Sequence, residues 1–196
     1  MKLCIQIFIL LSLLALSGCG SIKEEAPRLE YLVAYSVLDK HFKTSSRLDL
    51  TADILNLTSE EMENATLEII DAQGNRYSLN YDTIGTFSQE GRFGAFPLKA
   101  PISNLEIGGK QGEEFFSPSD LHFLFMNAFE EATISYRNKS GIHKIKVNNL
   151  NEIISKSRKE TMDWMQKEYD EQQKVLADLE EKAKPIVEKW HEASKK

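Results

Sequence analysis

Residues 48–54 read Leu-Asp-Leu-Thr-Ala-Asp-Ile, a strict alternation of apolar and polar side chains. Because successive side chains of a β-strand point to opposite faces, this period of two predicts a strand with one face in a core and the other in water. Residues 65–70 and 77–81 alternate in the same way. The turn sequence Asp71-Ala72-Gln73-Gly74-Asn75 between them predicts a β-hairpin.

Strand patterns continue to Val147. Residues 121–126 are apolar on both faces, which indicates a strand with neighbours on both sides. Residues 133–136 and 143–147 flank the turn sequence Asn-Lys-Ser-Gly and predict a second hairpin. Ile145 and Val147 would face the core, and Lys144 and Lys146 would face water. Residues 92–98 form a further candidate strand, which ends at prolines.

The spacing of these segments predicts a fold class. About seven to nine short strands, with turn signals every 8–15 positions, are typical of an antiparallel β-sandwich of the immunoglobulin or fibronectin type. The Cys–Trp–Cys signature of immunoglobulin domains is absent, because both tryptophans follow Val147. We therefore expect a mainly β domain over residues 29–148, followed by a long C-terminal α-helix.

Near Asn148 the spacing of apolar residues changes from every second residue to every third or fourth residue. An apolar seam with steps of three and four residues predicts an amphipathic helix over residues 149–196. Pro185 interrupts this pattern, so we expect the helix to be kinked or broken there. The seam comprises Met162, Met165, Tyr169, Gln172, Leu176, Leu179, Ala183, Ile186, Trp190 and Ala193.

The seam must be covered by the domain itself, by another protein, or by a second copy in a coiled coil. Val175 and Val187 widen the apolar stripe, which favours docking on a body or partner over a narrow two-stranded seam. The candidate partner-binding residues lie on or beside the seam: Trp164, Met165, Tyr169, Leu176, Leu179, Ile186 and Trp190.

The N-terminus predicts export from the cytosol. Lys2 precedes an apolar run over residues 3–16, and small residues follow at 17–21, which is the organisation of a secretory signal peptide. The run is shorter than the approximately 20 residues that a membrane-spanning helix needs. Residues 20–28 are small, polar and proline-containing, and indicate a flexible tether.

The sequence Leu16-Ser17-Gly18-Cys19 resembles the lipobox of bacterial lipoproteins. The resemblance implies that residues 1–18 are a lipoprotein signal peptide, that the Cys19 thiol receives a diacylglyceryl group, and that residues 19–28 form a lipidated tether. Gly20 stands where an aspartate would signal inner-membrane retention. The implied location is therefore the outer membrane of a bacterial cell envelope, facing the periplasm, with the membrane contacted through acyl chains.

We find no signature of catalysis, of a metal or of a cofactor in the sequence. The two cysteines are Cys4 in the signal peptide and Cys19, which leaves the mature chain without a disulfide. The formal net charge of −6 argues against a nucleic-acid partner. No two of the histidines have metal-binding spacing, and we interpret His143 as a hydrogen-bonded core histidine. The histidines are His41, His122, His143 and His191.

These features predict a non-enzymatic, membrane-anchored lipoprotein that acts as a structural or protein-interaction module. The alternative is a periplasmic ligand-binding or inhibitor-type lipoprotein that uses sandwich loops, including the glycine-rich loop at residues 108–112. The acidic turn at residues 71–75 lacks the repeated acids and distal glutamate of a calcium loop, so we interpret it as a plain turn.

Overall fold

The computed structural model describes residues 24–39, 47–97, 113–118, 121–126 and 128–194, without the side chains of Asp39, Glu113, Glu114 and Glu192. Cys19, His41 and the loop at residues 108–112 lie outside the described residues.

The described chain is mainly antiparallel β-structure with one long C-terminal helix, as the sequence predicted. Its strands form a five-stranded sheet of order β5-β2-β1-β7-β6 and a four-stranded sheet of order β4-β3-β8-β9. The strands are β1 Arg28–Asp39, β2 Arg47–Asn56, β3 Met62–Asp71, β4 Arg76–Ile84, β5 Ser88–Pro97, β6 Glu113–Phe116, β7 Leu121–Met126, β8 Phe129–Asn138 and β9 Gly141–Lys146, and the helix is α1 Leu150–Ala193.

The alternation in β2 is confirmed on its inner face. Leu48, Leu50, Ala52 and Ile54 are completely buried in one cluster with apolar residues of β3, β4 and β8. Each fully buried aliphatic side chain contributes roughly 1.5–3 kcal/mol relative to an exposed one. The outer face departs from the expectation, because Asp49 is buried, with its Oδ1 at 2.7 Å from Arg47 Nε, and does not face water.

Both predicted hairpins are present, as β3–β4 and β8–β9. Each turn contains a glycine with positive φ, 79° at Gly74 and 130° at Gly141, a conformation that L side chains rarely adopt. In β9 the alternation is also confirmed, since Ile145 packs on the core and Lys144 and Lys146 are exposed.

The Asp71 carboxylate holds the β3–β4 turn together. Its Oδ1 accepts hydrogen bonds from the backbone N–H groups of Gln73 (2.9 Å) and Asn75 (2.8 Å), and its Oδ2 accepts from the Asn75 side chain (2.9 Å) and the Tyr77 hydroxyl (2.8 Å). Burial raises the pKa of Asp71, but these hydrogen bonds outweigh it and hold the pKa below its ordinary value of 3.8. The carboxylate is therefore occupied by its own turn, which agrees with a plain turn.

The first half of β1 has a strand on one side only among the described strands. β1 pairs with β2 from Arg28 to Tyr35, but with β7 only from Tyr35 to Asp39. The N-terminal part of α1 fills the vacant side. Ser157, which is completely buried, accepts a hydrogen bond of 2.9 Å on its Oγ from the backbone N–H of Leu32. The helix thus supplies a partner that the sheet lacks at this edge.

Helix α1 is joined to the body along about its first five turns. Leu150 and Ile154 belong to the core between the sheets, whereas Met165 packs with Val33 and Phe125 on the outer face of the five-stranded sheet. Thr161 lies between these contacts and is hydrogen-bonded to the Tyr31 hydroxyl. Residues 150–165 are consequently a structural part of the body.

The sequence predicted a kink or a break at Pro185. The helix continues without interruption through this residue, so the break is not observed, and the kink stays a prediction. Pro185 lies in a segment whose described side chains are all exposed, where water can bind the carbonyl that a proline leaves without a donor. At the other end of the chain, Pro27 is buried and Arg28 opens β1, so the last residues assigned to the tether lie in the body.

We predict that Ser157→Ala lowers the free energy of unfolding by about 1–3 kcal/mol, because it leaves the Leu32 N–H buried without an acceptor. Urea denaturation measures the change. Ser155→Ala is the matched control, since Ser155 is exposed two residues earlier on the same helix. Equal midpoints for the two variants would show that the bond does not hold the helix to β1.

We predict that Asp71→Asn lowers the free energy of unfolding by about 1–3 kcal/mol at pH 7, because an amide cannot accept all four hydrogen bonds. The lowered pKa means that the wild-type carboxylate stabilises the fold above pH 3.8 and loses this effect as the pH falls further. The difference between variant and wild type should therefore shrink at about pH 2. The fully exposed Asp82 gives the control Asp82→Asn, and a difference that is independent of pH would contradict the assignment.

Candidate partner interface

The helix leaves the body after Tyr169. From Asp170 to Ser194 every described side chain is exposed, so about 36 Å of helix extends into solvent. The segment is rich in Leu, Ala, Glu, Gln and Lys, which favour helix, and it contains a Lys182–Asp178 ion pair of 2.6 Å one turn apart. These local interactions stabilise the helix where no other part of the described chain packs against it.

One face of this extension carries large apolar side chains in water. Each is half or more exposed, and Trp190 reaches 79%. We call this set the distal stripe: Val175, Leu176, Leu179, Ile186, Val187 and Trp190. Contiguous exposed apolar surface of this kind marks protein–protein or membrane contact sites in soluble proteins.

The structure divides the predicted partner-binding residues into three groups. Met165 is only 9% exposed and packs on Val33 and Phe125, so its side chain joins the helix to the body of the same chain, and its role as a partner contact stays a prediction. Leu176, Leu179, Ile186 and Trp190 lie together on the distal stripe. The seam therefore has two parts. Its N-terminal part packs on the body of the same chain, and no described residue covers its C-terminal part.

Trp164 and Tyr169 lie where the helix leaves the sheet and line an open groove of about 410 Å³. Trp164 is 60% exposed and Tyr169 is half-buried. We call this feature the junction groove, and its walls are Tyr35, Pro118, Leu121, Phe123, Trp164, Met165, Glu168, Tyr169, Gln172 and Gln173.

Strand residues of the junction groove were not among the predicted site residues. Tyr35 in β1 and Phe123 in β7 stack edge to face with ring centroids 5.8 Å apart. Burial raises the pKa of Tyr35, so its hydroxyl stays protonated and neutral at physiological pH. The sequence marks both residues only as strand aromatics, and their convergence with the helix depends on where α1 crosses the sheet.

Two of the three described histidines, His122 and His143, contact an aromatic ring, and His191 is exposed on the helix extension. His143 is half-buried, stacks on Tyr136 at 4.9 Å between ring centroids, and is hydrogen-bonded to Asn138 (2.8 Å). His122 lies 4.9 Å from the ring of Phe115. In the described part of the chain no three His, Cys, Asp or Glu side chains converge as metal ligands would.

Within the described ranges, no helix combines the length and apolarity that crossing a bilayer requires.

Comparison with known proteins gives no family for this chain. No protein-family model matches it, and no curated protein matches it. A solved structure, the X-ray structure of a Northeast Structural Genomics Consortium target, aligns with 64% of this chain and 84% of its own chain, at 13% sequence identity and a TM-score of 0.34. A likeness this low carries no inference about fold or function.

Proposed function

We propose that this chain is a non-enzymatic lipoprotein of the bacterial cell envelope that serves as a protein-interaction module. It is attached to the membrane, on the periplasmic side of the outer membrane, through acyl chains on Cys19, and it binds a protein through the distal stripe. The observation that carries the proposal is an apolar stripe along a helix extension that no described residue covers.

The attachment of the helix supports this role. The first five turns are bound to β1 through Ser157 and through Met165, so the extension leaves the body in a defined direction. A preorganised binding element loses less conformational entropy when its partner arrives. The exposed stripe amounts to roughly 600 Å² of apolar surface, at the upper end of what typical monomers expose.

The resemblance of residues 16–19 to a lipobox supports the location. Eight residues, 20–27, lie between Cys19 and Arg28, the first residue of β1, and the nine steps along the chain span at most about 30 Å. The body of an acylated chain would thus stay close to the bilayer, while α1 reaches further from it. This arrangement suits an envelope protein that contacts other proteins near the membrane.

We also propose that the sandwich belongs to the immunoglobulin or fibronectin type. The strand order β5-β2-β1 beside β4-β3-β8-β9 supports this, since it corresponds to E-B-A and C′-C-F-G in that fold. In this interpretation β6 and β7 are an insertion between strands E and F that extends the sheet beyond β1.

We predict that Cys19→Ala yields an unprocessed precursor without fatty acid, because the thiol that accepts the diacylglyceryl group is gone. Metabolic labelling with a fatty-acid analogue and membrane fractionation measure this. Cys4→Ala serves as the control and should be labelled normally, since Cys4 leaves with the signal peptide. Normal labelling of Cys19→Ala would refute the anchor.

We predict that Leu179→Ser combined with Ile186→Ser abolishes in-cell crosslinks made by the acylated chain, because both changes remove apolar surface from the distal stripe. Glu181→Ser combined with Glu188→Ser is the matched control, with the same new residues on the opposite helix face. Unchanged crosslinks in the stripe variant would show that the stripe is not the binding surface.

A further inference from the structure

We infer that the distal stripe is covered by a second copy of this chain, with the two helices antiparallel and paired over residues 169–193. This inference rests on the proposed function, because it identifies the protein that the stripe binds. Three features support it: the side of the helix that the body occupies, the pairing of large and small residues, and the position of the junction groove.

The body occupies the same helix face as the distal stripe. The buried positions Leu150, Ile154, Ser157, Thr161 and Met165 follow steps of three and four residues. The stripe continues these steps. A parallel second helix in register would therefore run into the body, whereas an antiparallel helix meets only the extension and ends where the body begins. The body thus sets both the direction and the limit of pairing.

Antiparallel pairing places a large side chain opposite a smaller one in three of the four pairs of seam positions, and it places a leucine opposite an isoleucine in the fourth. When Leu176 of one copy faces Ile186 of the other, Leu179 faces Ala183 and Tyr169 faces Ala193, and all seam positions alternate as a and d layers. Pro185 lies on the opposite helix face, so its ring does not enter the interface. In the same register Trp190 of the second copy faces Gln172.

The junction groove lies where Trp190 of the second copy arrives. Gln172 and Tyr169 line the groove from the helix, and Tyr35 and Phe123 line it from the sheet. Trp190 is the most exposed large hydrophobic side chain of the described residues, at 79%. Tryptophan in an aromatic-lined groove is a common anchor of protein interfaces. A twofold axis near residue 181 would form this contact twice.

The surface area suits a dimer. Two distal stripes together offer roughly 1,200 Å², the lower end for specific interfaces, and the two junction grooves add to it. The Lys182 side chains of the two copies would lie close together near the twofold axis. Their repulsion is reduced because each Lys182 forms an ion pair of 2.6 Å with Asp178. Seven acidic and four basic side chains between residues 170 and 194 disfavour an anionic lipid surface as the alternative cover.

Sedimentation equilibrium of the mature chain, residues 19–196 with Cys19→Ser, tests the dimer. We expect twice the chain mass at micromolar concentration, and Trp190→Ser should raise the dissociation constant about thirtyfold or more. Glu188→Ser, on the opposite face, should leave it unchanged. A monomer at about 100 µM would overturn the dimer. If the chain were monomeric and still formed stripe-dependent crosslinks to another protein in cells, the proposed function would stand without the dimer.

Cysteine crosslinking tests the direction, because the Cys19→Ser chain has no other thiol after residue 4. A Leu176→Cys chain mixed with an Ile186→Cys chain should form a disulfide between the two different variants under mild oxidation. Leu176→Cys alone should not crosslink, since its two copies would be about 15 Å apart along the axis. Efficient crosslinking of Leu176→Cys to itself would indicate parallel helices and overturn the antiparallel arrangement.

Discussion

The docking of α1 on the open edge of β1 is the constraint on which the rest of the structure depends. A β-strand with one unpaired side exposes backbone donors and acceptors, and such edges invite aggregation unless something covers them. Here a helix covers the edge, and its buried Ser157 accepts a hydrogen bond from the Leu32 N–H. The same helix closes one side of the core with Leu150 and Ile154. The body and the beginning of the helix therefore form one cooperative unit.

This attachment has a consequence for the rest of the helix. Because the seam continues in phase beyond Tyr169, the extension presents its apolar face on the side where the body lies. The body therefore restricts what can bind the distal stripe and from which direction. The junction groove arises at the corner between helix and sheet, so the position of one buried serine indirectly sets the geometry of the candidate interface.

Much of the fold could be predicted from periodicity, since alternation in β2 and the two hairpin turns each reflect a local rule. The burial of Asp49 could not, because it depends on the Arg47 guanidinium beside it. Likewise, the seam predicted the helix and its apolar face, but it did not predict the residue at which the body stops covering that face. Met165 and Leu179 are two heptads apart and occupy equivalent seam positions, and only the length of the sheet makes one buried and the other exposed.

Hydrogen exchange measured by mass spectrometry, at concentrations where the chain is monomeric, tests the division of α1 most directly. The backbone amides of residues 150–165 should be protected nearly as strongly as those of β1 and β2, because they open only when the body unfolds. The amides of residues 172–193 should exchange much faster. Equal protection along the whole helix, or fast exchange along all of it, would contradict a helix that is half body and half free interface.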